Sequence, residues 1–186
     1  MASFRKEILG QIERIDTGRI FTFRDLSFET EKTANVAVLL SEQSRKGVLV
    51  RVEKGAYYRP KKSVLGLGEL PVYQDEQFRY LTEKLNGYIT GAYIYNKMGL
   101  TEQVATTITI ATPNPVRRFR FKNLDIECVK AYCMVYPDES LVPYLRLLDA
   151  IKDMKRIPGT TGQDIYNRVK SQYFNGYSLP ELEKIV

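Results

Sequence analysis

The sequence contains no histidine, and this absence removes several classes of enzyme at once. Ser-His-Asp and Cys-His nucleophilic sites, HExxH zinc sites and His-ligated deaminase centres all require an imidazole group. An enzyme built from this chain would have to use carboxylate, lysine or tyrosine chemistry. We predict a protein that is not an enzyme and that has no metal site and no cofactor.

Cysteine and long apolar stretches are also scarce. Cys128 and Cys133 lie five residues apart in an apolar stretch, a spacing that matches no common metal or redox motif, so we expect buried, reduced thiols. No apolar run approaches the roughly 20 residues of a membrane span. The N-terminal residues include acidic side chains in an amphipathic pattern, unlike a signal peptide. These features predict a cytoplasmic protein.

Positive charge, by contrast, is present in excess, and it is concentrated at one end. The 186 residues are enough for one medium domain or two small ones. Of the net charge of +6, residues 1–62 carry +5, from thirteen lysines and arginines against eight acidic residues. An excess confined to one segment indicates a polyanionic partner for that segment.

Helical periodicity dominates the first fifty residues. Apolar spacing predicts a helix over 3–15, and Thr22 is placed to cap a short second helix over 23–28. A third helix is expected over 32–46, because Gly47 can adopt the positive φ that commonly ends a helix. The predicted inward positions of this third helix are Val36, Leu39, Leu40 and Gln43.

A hairpin is expected directly after the third helix. β-Prone runs over 48–53 and 56–60 flank the turn at Lys54-Gly55, so the turn should project a lysine into solvent. Three helices and a hairpin are the plan of a winged helix-turn-helix, which we assign to residues 1–62. Domains of this kind bind double-stranded DNA.

Residues 63–186 are predicted to form a mixed α/β domain with a small sheet and C-terminal helices, which gives an α+β fold class for the whole chain. Glycines and a proline within 63–73 mark the boundary. Strands are expected over 106–112, 117–121 and 124–131. Helices are expected over 74–86, 88–100, 141–155, 162–174 and 179–185.

The third helix has the properties of a recognition helix. Its outer face is small, polar or basic, which allows a helix to enter the major groove, where Asn pairs with adenine and Arg with guanine. The predicted contacts from this helix are Thr33, Asn35, Ser41, Ser44, Arg45 and Lys46. Those from the hairpin are Arg51, Lys54, Tyr57 and Arg59. Phosphate contacts are expected from Lys32, Lys46, Arg51 and Lys54.

Three motifs resemble the N-terminal domain of AbiEi-type antitoxins, which belong to bacterial type IV toxin–antitoxin (abortive-infection) systems. They are Phe21–Leu26, the helix end Arg45–Gly47 and the hairpin Leu49–Pro60. The run Gly99–Val104, before a predicted strand, also looks like the second domain of that family. The resemblance covers the N-terminal domain well and the middle of the chain more loosely.

The resemblance implies a two-domain transcriptional regulator. Its first domain would bind operator repeats and repress its own operon. Its second domain would counteract a co-encoded nucleotidyltransferase-like toxin, without needing a stable complex with it. This chain has Glu42-Gln43 where the family often has Arg-Leu, and Glu42 would repel a DNA backbone. A protein-interaction adaptor whose winged helix no longer binds DNA is therefore a competing hypothesis.

The middle of the chain supplies two further hypotheses. Basic and aromatic residues alternate over 117–122, as in some nucleic-acid-binding strands, although a strand with inward phenylalanines explains the pattern more simply. The cations of this predicted second basic surface are Arg117, Arg118, Arg120 and Lys122. Asp125 and Glu127 suggest a metal-dependent nuclease. However, Lys130 follows Glu127 by three residues instead of two, and on a strand it would point to the opposite face.

Overall fold

The computed structural model describes residues 2–66, 68–131, 139–157, 159 and 161–171. These residues form a mixed α+β fold with several helices and small sheets, so the predicted α+β class is confirmed. The chain divides into two compact units, Met1–Tyr80 and Leu81–Val186. The first unit contains all of the segment 1–62, to which we assigned DNA binding, and continues beyond it.

The α-helices of the described chain are α1 (Ala2–Arg14), α2 (Thr33–Arg45), α3 (Gln74–Leu85), α4 (Ala92–Lys97), α5 (Val142–Lys152) and α6 (Gly162–Val169). Short 3-10 turns are formed by Phe23–Asp25, Thr30–Lys32 and Met154–Arg156. The strands are β1 (Ile20–Thr22), β2 (Val50–Glu53), β3 (Ala56–Tyr58), β4 (Lys61–Lys62), β5 (Glu69–Leu70), β6 (Tyr88–Thr90), β7 (Thr107–Thr112), β8 (Arg117–Phe121) and β9 (Leu124–Lys130). The sheets have the orders β1-β3-β2, β4-β5 and β6-β7-β9-β8.

Helices α1 and α2 share the hydrophobic core of the first unit. Ile8 and Ile12 of α1 belong to the same buried cluster as Leu49 and the apolar side chains of α2. All four predicted inward residues of α2 are buried, which confirms that prediction: Val36, Leu39, Leu40 and Gln43. Each large apolar side chain contributes about 1.5–3 kcal/mol on burial, so tertiary packing is the main source of stability for these helices.

The predicted second helix over 23–28 is wrong in length, because only Phe23–Asp25 form a 3-10 turn. Thr22 caps this turn as expected, in a reciprocal arrangement with Asp25. The chain becomes extended at Leu26, and the Gln11 side chain then binds both backbone groups of Ser27, at 2.9 and 2.7 Å. These two hydrogen bonds replace the ones that a longer helix would have formed.

The first sheet joins the predicted hairpin to a strand that the sequence pattern did not indicate. β2 and β3 form the hairpin, with Gly55 at φ +82° in its turn, so this prediction is confirmed. β1 lies along the other side of β3 and pairs Ile20 with Tyr58. A strand of three residues is too short to show a two-residue alternation.

The first turns of α3 bind the free edge of this sheet. The backbone N–H of Ile20 donates to Glu76 Oε1 at 2.6 Å, and Arg79 Nη2 donates to the Ile20 carbonyl at 2.8 Å. The Tyr80 hydroxyl donates to the Glu53 carboxylate. The two bonds with Ile20 satisfy backbone groups on the edge of β1 that β3 cannot reach, and all three contacts connect the start of α3 to the first unit.

In the second unit, the predicted helix over 88–100 is wrong for its first residues. Tyr88–Thr90 form β6, which pairs antiparallel with β7. Gly91 then takes φ +73°, and a Cβ at this position would lie 2.8 Å from Thr109 Oγ1. Only glycine fits both requirements, so the chain can turn here from strand into α4.

The C-terminal part of the described chain is helical, as predicted. The helix expected over 141–155 is α5 with the 3-10 turn after it, and the one expected over 162–174 is α6. The predicted helix over 179–185 and Cys133 lie outside the described residues. Cys128 is fully buried, and burial raises the pKa of its thiol. None of the described helices is long and apolar enough to cross a bilayer.

Candidate nucleic-acid interface

The outer face of α2 follows from the position of its buried residues. Since Val36, Leu40 and Gln43 face the core, the opposite stripe takes positions related by three or four residues. These positions are Ala34, Val38, Ser41 and Arg45. Ala34 and Arg45 are exposed, Ser41 is half-buried and Val38 is 59% exposed. The stripe is therefore narrow, with small side chains and a cation in its last turn.

The other predicted contacts of α2 differ in how accessible they are. Asn35 lies beside the stripe and is exposed, as is Lys46 at the helix end. Thr33 is half-buried, and its Oγ1 donates to the Thr30 carbonyl at 2.6 Å, so it stabilises the first turn of α2. Ser44 is also half-buried. Of these four residues, only Asn35 and Lys46 present their side chains freely to solvent.

The hairpin adds two exposed cations. Lys54 lies in the turn, and Arg51 lies on β2, where its Nε donates to the Glu53 carbonyl at 3.2 Å. We define the α2–hairpin surface as the α2 stripe together with the flanking polar and cationic residues. Its members are Ala34, Asn35, Val38, Ser41, Arg45, Lys46, Arg51 and Lys54.

Two of the predicted hairpin contacts have structural roles instead. Tyr57 is only 5% exposed and belongs to the core that α1 and α2 share, so its ring is unavailable to DNA. Arg59 donates from Nη1 to the carbonyls of Glu13 and Ile15, at 2.7 and 2.8 Å. Since the last carbonyls of a helix lack partners within the helix, Arg59 stabilises the end of α1. We exclude both residues from the α2–hairpin surface.

The Glu42 carboxylate, which we expected to repel a DNA backbone, has a cationic partner. Arg5 Nη2 of α1 lies 2.6 Å from Glu42 Oε2, and both side chains are partly exposed. On the same side of the unit, Lys32 Nζ pairs with Glu29 at 2.7 Å and lies 5.1 Å from the centre of the Phe4 ring. Because Arg5 offsets its charge, Glu42 should repel a DNA backbone less than the sequence alone indicates.

Sequence reasoning missed Ala34 and Val38 as surface residues. Val38 is an apolar side chain directly opposite the buried face of α2, where a solvated helix normally carries a polar residue. A helical projection of 33–45 would have shown this exception.

The second predicted basic surface, which we call the β8 strip, contains Arg117, Arg118, Arg120 and Lys122. Arg118 pairs with Glu127 at 2.5 Å, and Arg120 lies 3.9 Å from Asp125. The other two cations differ in setting.

The Arg117 guanidinium lies 5.0 Å from the centre of the Phe119 ring, and Lys122 occupies the β8–β9 turn at φ +55°. All four cations of the strip are exposed, while Phe121 is buried. Of the four cations, Arg118 and Arg120 face carboxylates of the adjacent strand, whereas Arg117 and Lys122 do not.

The nuclease hypothesis uses Asp125 and Glu127, which are the carboxylates that pair with Arg120 and Arg118. Asp125 and Glu127 lie on one face of β9, each beside an arginine of β8. Among the described residues, no group of three or more Cys, Asp or Glu side chains is placed to hold a metal ion. The arrangement of these two side chains is that of cross-strand ion pairs.

A family model supplies the comparison with known proteins. The model of DUF6088, a family of unknown function, matches residues 7–134. The chain belongs to this family. The DUF6088 match begins within α1 and ends after β9, so it includes α2, the hairpin and the four-stranded sheet, while α5 and α6 follow it. No curated protein matches the chain.

Proposed function

We propose that residues 1–62 form a winged helix-turn-helix that binds double-stranded DNA, with α2 as the recognition helix and the β2–β3 turn as the wing. The main support is the order of elements: a helix, a short strand, helical turns, a second long helix and a hairpin. The sheet order β1-β3-β2 places the first strand beside the second strand of the hairpin. This connectivity leaves one face of α2 and the hairpin turn exposed.

The shape and chemistry of the α2 stripe support insertion into the major groove. The groove is about 12 Å wide and admits an α-helix whose outward side chains are short. Ala34 and Ser41 are short, while Arg45 can pair with guanine or bind a phosphate. Val38 can contact the 5-methyl group of thymine, which is the apolar feature of that groove.

The cations of the surface are available for phosphate. Within the described part of the chain, no carboxylate forms an ion pair with Arg45, Lys46 or Lys54. Each cation that binds a phosphate releases a counterion, so the affinity should fall steeply with salt concentration.

The test uses the double variant Arg45→Ala/Lys54→Ala and the full-length protein. Fluorescence anisotropy would measure binding to a duplex from upstream of its own gene and to an unrelated duplex of equal length. We expect at least about tenfold weaker binding, since each contact contributes on the order of 1 kcal/mol or more. The slope of log K against log salt should fall by about 1 for each lost phosphate contact.

A matched control removes the same amount of charge elsewhere. Arg118→Ala/Arg120→Ala should change the affinity by much less, because both of these arginines already face carboxylates. Equal losses in the two double variants would refute the assignment of α2 and the hairpin as the interface. No DNA binding by the unmodified protein would favour the adaptor hypothesis.

The finer proposal is that the protein represses its own operon and serves as the antitoxin of a type IV pair. It is supported by the resemblance of Phe21–Leu26 and Leu49–Pro60 to AbiEi-type antitoxins. A nucleotidyltransferase-like toxin encoded next to this gene should arrest cell growth when it is expressed alone. Co-expression of the present protein should restore growth. Growth arrest that persists at equal protein levels would disprove the antitoxin role and leave the DNA-binding proposal intact.

A further inference from the structure

The second unit has a sheet edge that no described strand covers. The sheet order β6-β7-β9-β8 places β8 at one end, where it pairs with β9 alone. No described group outside the sheet forms a hydrogen bond with the backbone of Arg118 or Arg120. An unpaired edge is a template for an additional strand, and the five residues of β8 include no proline or glycine to discourage one.

The register of the β8–β9 hairpin shows which backbone groups lie on the free edge. A two-residue turn joins the strands, so Phe121 and Leu124 are the closing pair, and such a pair exchanges hydrogen bonds across the two strands. Because bonded and non-bonded positions alternate, Phe119 also bonds to β9, whereas Arg118 and Arg120 direct their N–H and C=O groups away from it. The edge therefore offers backbone donors and acceptors to an incoming strand.

The β8–β9 hairpin keeps a positive excess after its own ion pairs are counted. Residues 117–130 contain five lysines and arginines against two carboxylates. Arg117 and Lys122 form no ion pair with any carboxylate in the described part of the chain. This excess favours an acidic partner, because opposite charges on adjacent strands attract each other and like charges repel.

The two arginines that face carboxylates of β9 also keep unused donors. The Arg120 guanidinium lies 3.9 Å from Asp125, which is too far for a hydrogen bond, and its side chain is 70% exposed. Arg118 directs both Nε and Nη2 to one oxygen, Glu127 Oε1, so its Nη1 is left for another acceptor. Each arginine can therefore lie between a carboxylate of β9 and a second carboxylate on an added strand.

The two faces of β8 suit different side chains on such a strand. Arg118 and Arg120 share one face, whereas Phe119 lies on the other face and is half-buried. Side chains on adjacent strands interact when they lie opposite each other on the same face. An incoming strand would therefore place acidic residues beside the two arginines and apolar residues beside the Phe119 ring. A second copy of β8 does not suit this edge, because its arginines would lie beside arginines.

We propose that the free edge of β8 binds an extended protein segment in which acidic and apolar residues alternate, and that this segment forms a fifth strand of the sheet. The backbone groups of Arg118 and Arg120 provide the main-chain hydrogen bonds of the added ladder, which is how strand addition gains affinity. The cations of the β8 strip select acidic side chains by charge-assisted hydrogen bonds. This site belongs to the second unit and does not depend on the DNA-binding proposal.

Fluorescence anisotropy with the full-length protein would test this proposal on labelled peptides of alternating glutamate and valine. Two further peptides carry backbone N-methyl groups, one on every glutamate and the other on every valine. Because alternate N–H groups of a strand point to opposite sides, only one of these peptides should lose the ladder, and it should bind about tenfold more weakly than the other. Equal binding by both methylated peptides, or no binding of the unmodified peptide, would overturn the proposal.

Variants of the protein test the same edge from the other side. Arg118→Pro and Arg118→Ala both remove the guanidinium, but only proline also removes the outward N–H, a position where edge strands tolerate it. The proline variant should bind the unmodified peptide about fivefold more weakly than the alanine variant, since one main-chain hydrogen bond is lost. Circular dichroism would confirm that both variants are folded.

A charge variant keeps the test decisive if the proline variant does not fold. Arg117→Gln/Lys122→Gln changes two exposed cations and should weaken peptide binding about fivefold. Lys84→Gln/Lys155→Gln removes the same charge from exposed positions outside the hairpin, and it should change the affinity much less. Equal losses in the two double variants would overturn the proposed site. Tighter binding of a single-stranded oligonucleotide than of the peptide would assign the strip to nucleic acid instead.

Discussion

The α2–hairpin surface and the β8 strip are both rich in cations in the sequence, but their cations face different neighbours in the structure. In the β8 strip, Arg118 and Arg120 face Glu127 and Asp125 across the β8–β9 pair. Arg45 and Lys54 of the α2–hairpin surface are exposed and have no such carboxylate partner among the described residues. Charge counted along a sequence therefore overestimates the positive potential of a surface wherever the strand register brings acids beside bases.

The same contrast favours the α2–hairpin surface over the β8 strip as the proposed DNA-binding surface. Surface ion pairs contribute little to stability, about 0–1 kcal/mol, but they neutralise charge that a phosphate would otherwise attract. The β8 strip keeps Arg117 and Lys122 exposed, so it remains basic, although less so than its sequence indicates. The α2–hairpin surface retains the charge of its cations, and it adds the narrow helix face that we propose enters the major groove.

The largest expected effect concerns Tyr57, which marks the inner limit of the α2–hairpin surface. Tyr57→Ala should lower the free energy of unfolding by about 3 kcal/mol or more, because it leaves a cavity in the core of the first unit. Urea denaturation followed by circular dichroism would measure the change. Tyr57→Phe keeps the ring and should retain DNA affinity. A folded Tyr57→Phe protein with much weaker DNA binding would show instead that the hydroxyl contacts DNA.

The elements that the sequence predicted well are those set by local spacing. The burial of Val36, Leu39 and Leu40 follows from helical periodicity, and the hairpin follows from the Lys54-Gly55 turn. The errors arise where a distant partner decides the structure. Tyr88–Thr90 has a pattern that also suits a helix, and only its pairing with β7 makes it a strand.

The site residues show the same division. The exposure of Asn35 and Arg45 could be predicted from α2 alone, whereas the burial of Tyr57 depends on helices packed over β3. The role of Arg59 depends on carbonyls more than forty residues away in sequence. The pairing of Arg118 with Glu127 was predictable in principle. A tight turn at Lys122-Asn123 places the two residues opposite each other.

Removing the carboxylates that neutralise the β8 strip would test whether ion pairing is what makes this strip less basic than its sequence indicates. Asp125→Asn/Glu127→Gln leaves Arg118 and Arg120 without their carboxylate partners. We expect binding to a non-specific duplex to strengthen about tenfold at low salt, with a salt slope steeper by about 1 to 2. The cost in stability should stay near 1 kcal/mol or less, because these are surface pairs.

The control for this experiment removes two exposed carboxylates outside the strip. Glu102→Gln/Glu139→Gln changes the net charge by the same amount and should strengthen binding much less. If both variants gain equally, net charge alone would explain the effect, and the local pairing in the β8 strip would have no special role.

The smallest expected effect concerns Val38, whose exposure has no explanation within the first unit. If its methyl groups contact a thymine methyl, Val38→Ala should weaken binding to the proposed operator about fourfold, since one buried methylene-sized contact is worth about 0.8 kcal/mol. Replacing thymine by uracil in the operator should weaken the unmodified protein by a similar factor. On uracil DNA the Val38→Ala protein should lose nothing further, because the methyl group is already absent. Additive losses in anisotropy titrations would place Val38 away from thymine, while leaving the role of Arg45 and Lys54 untouched.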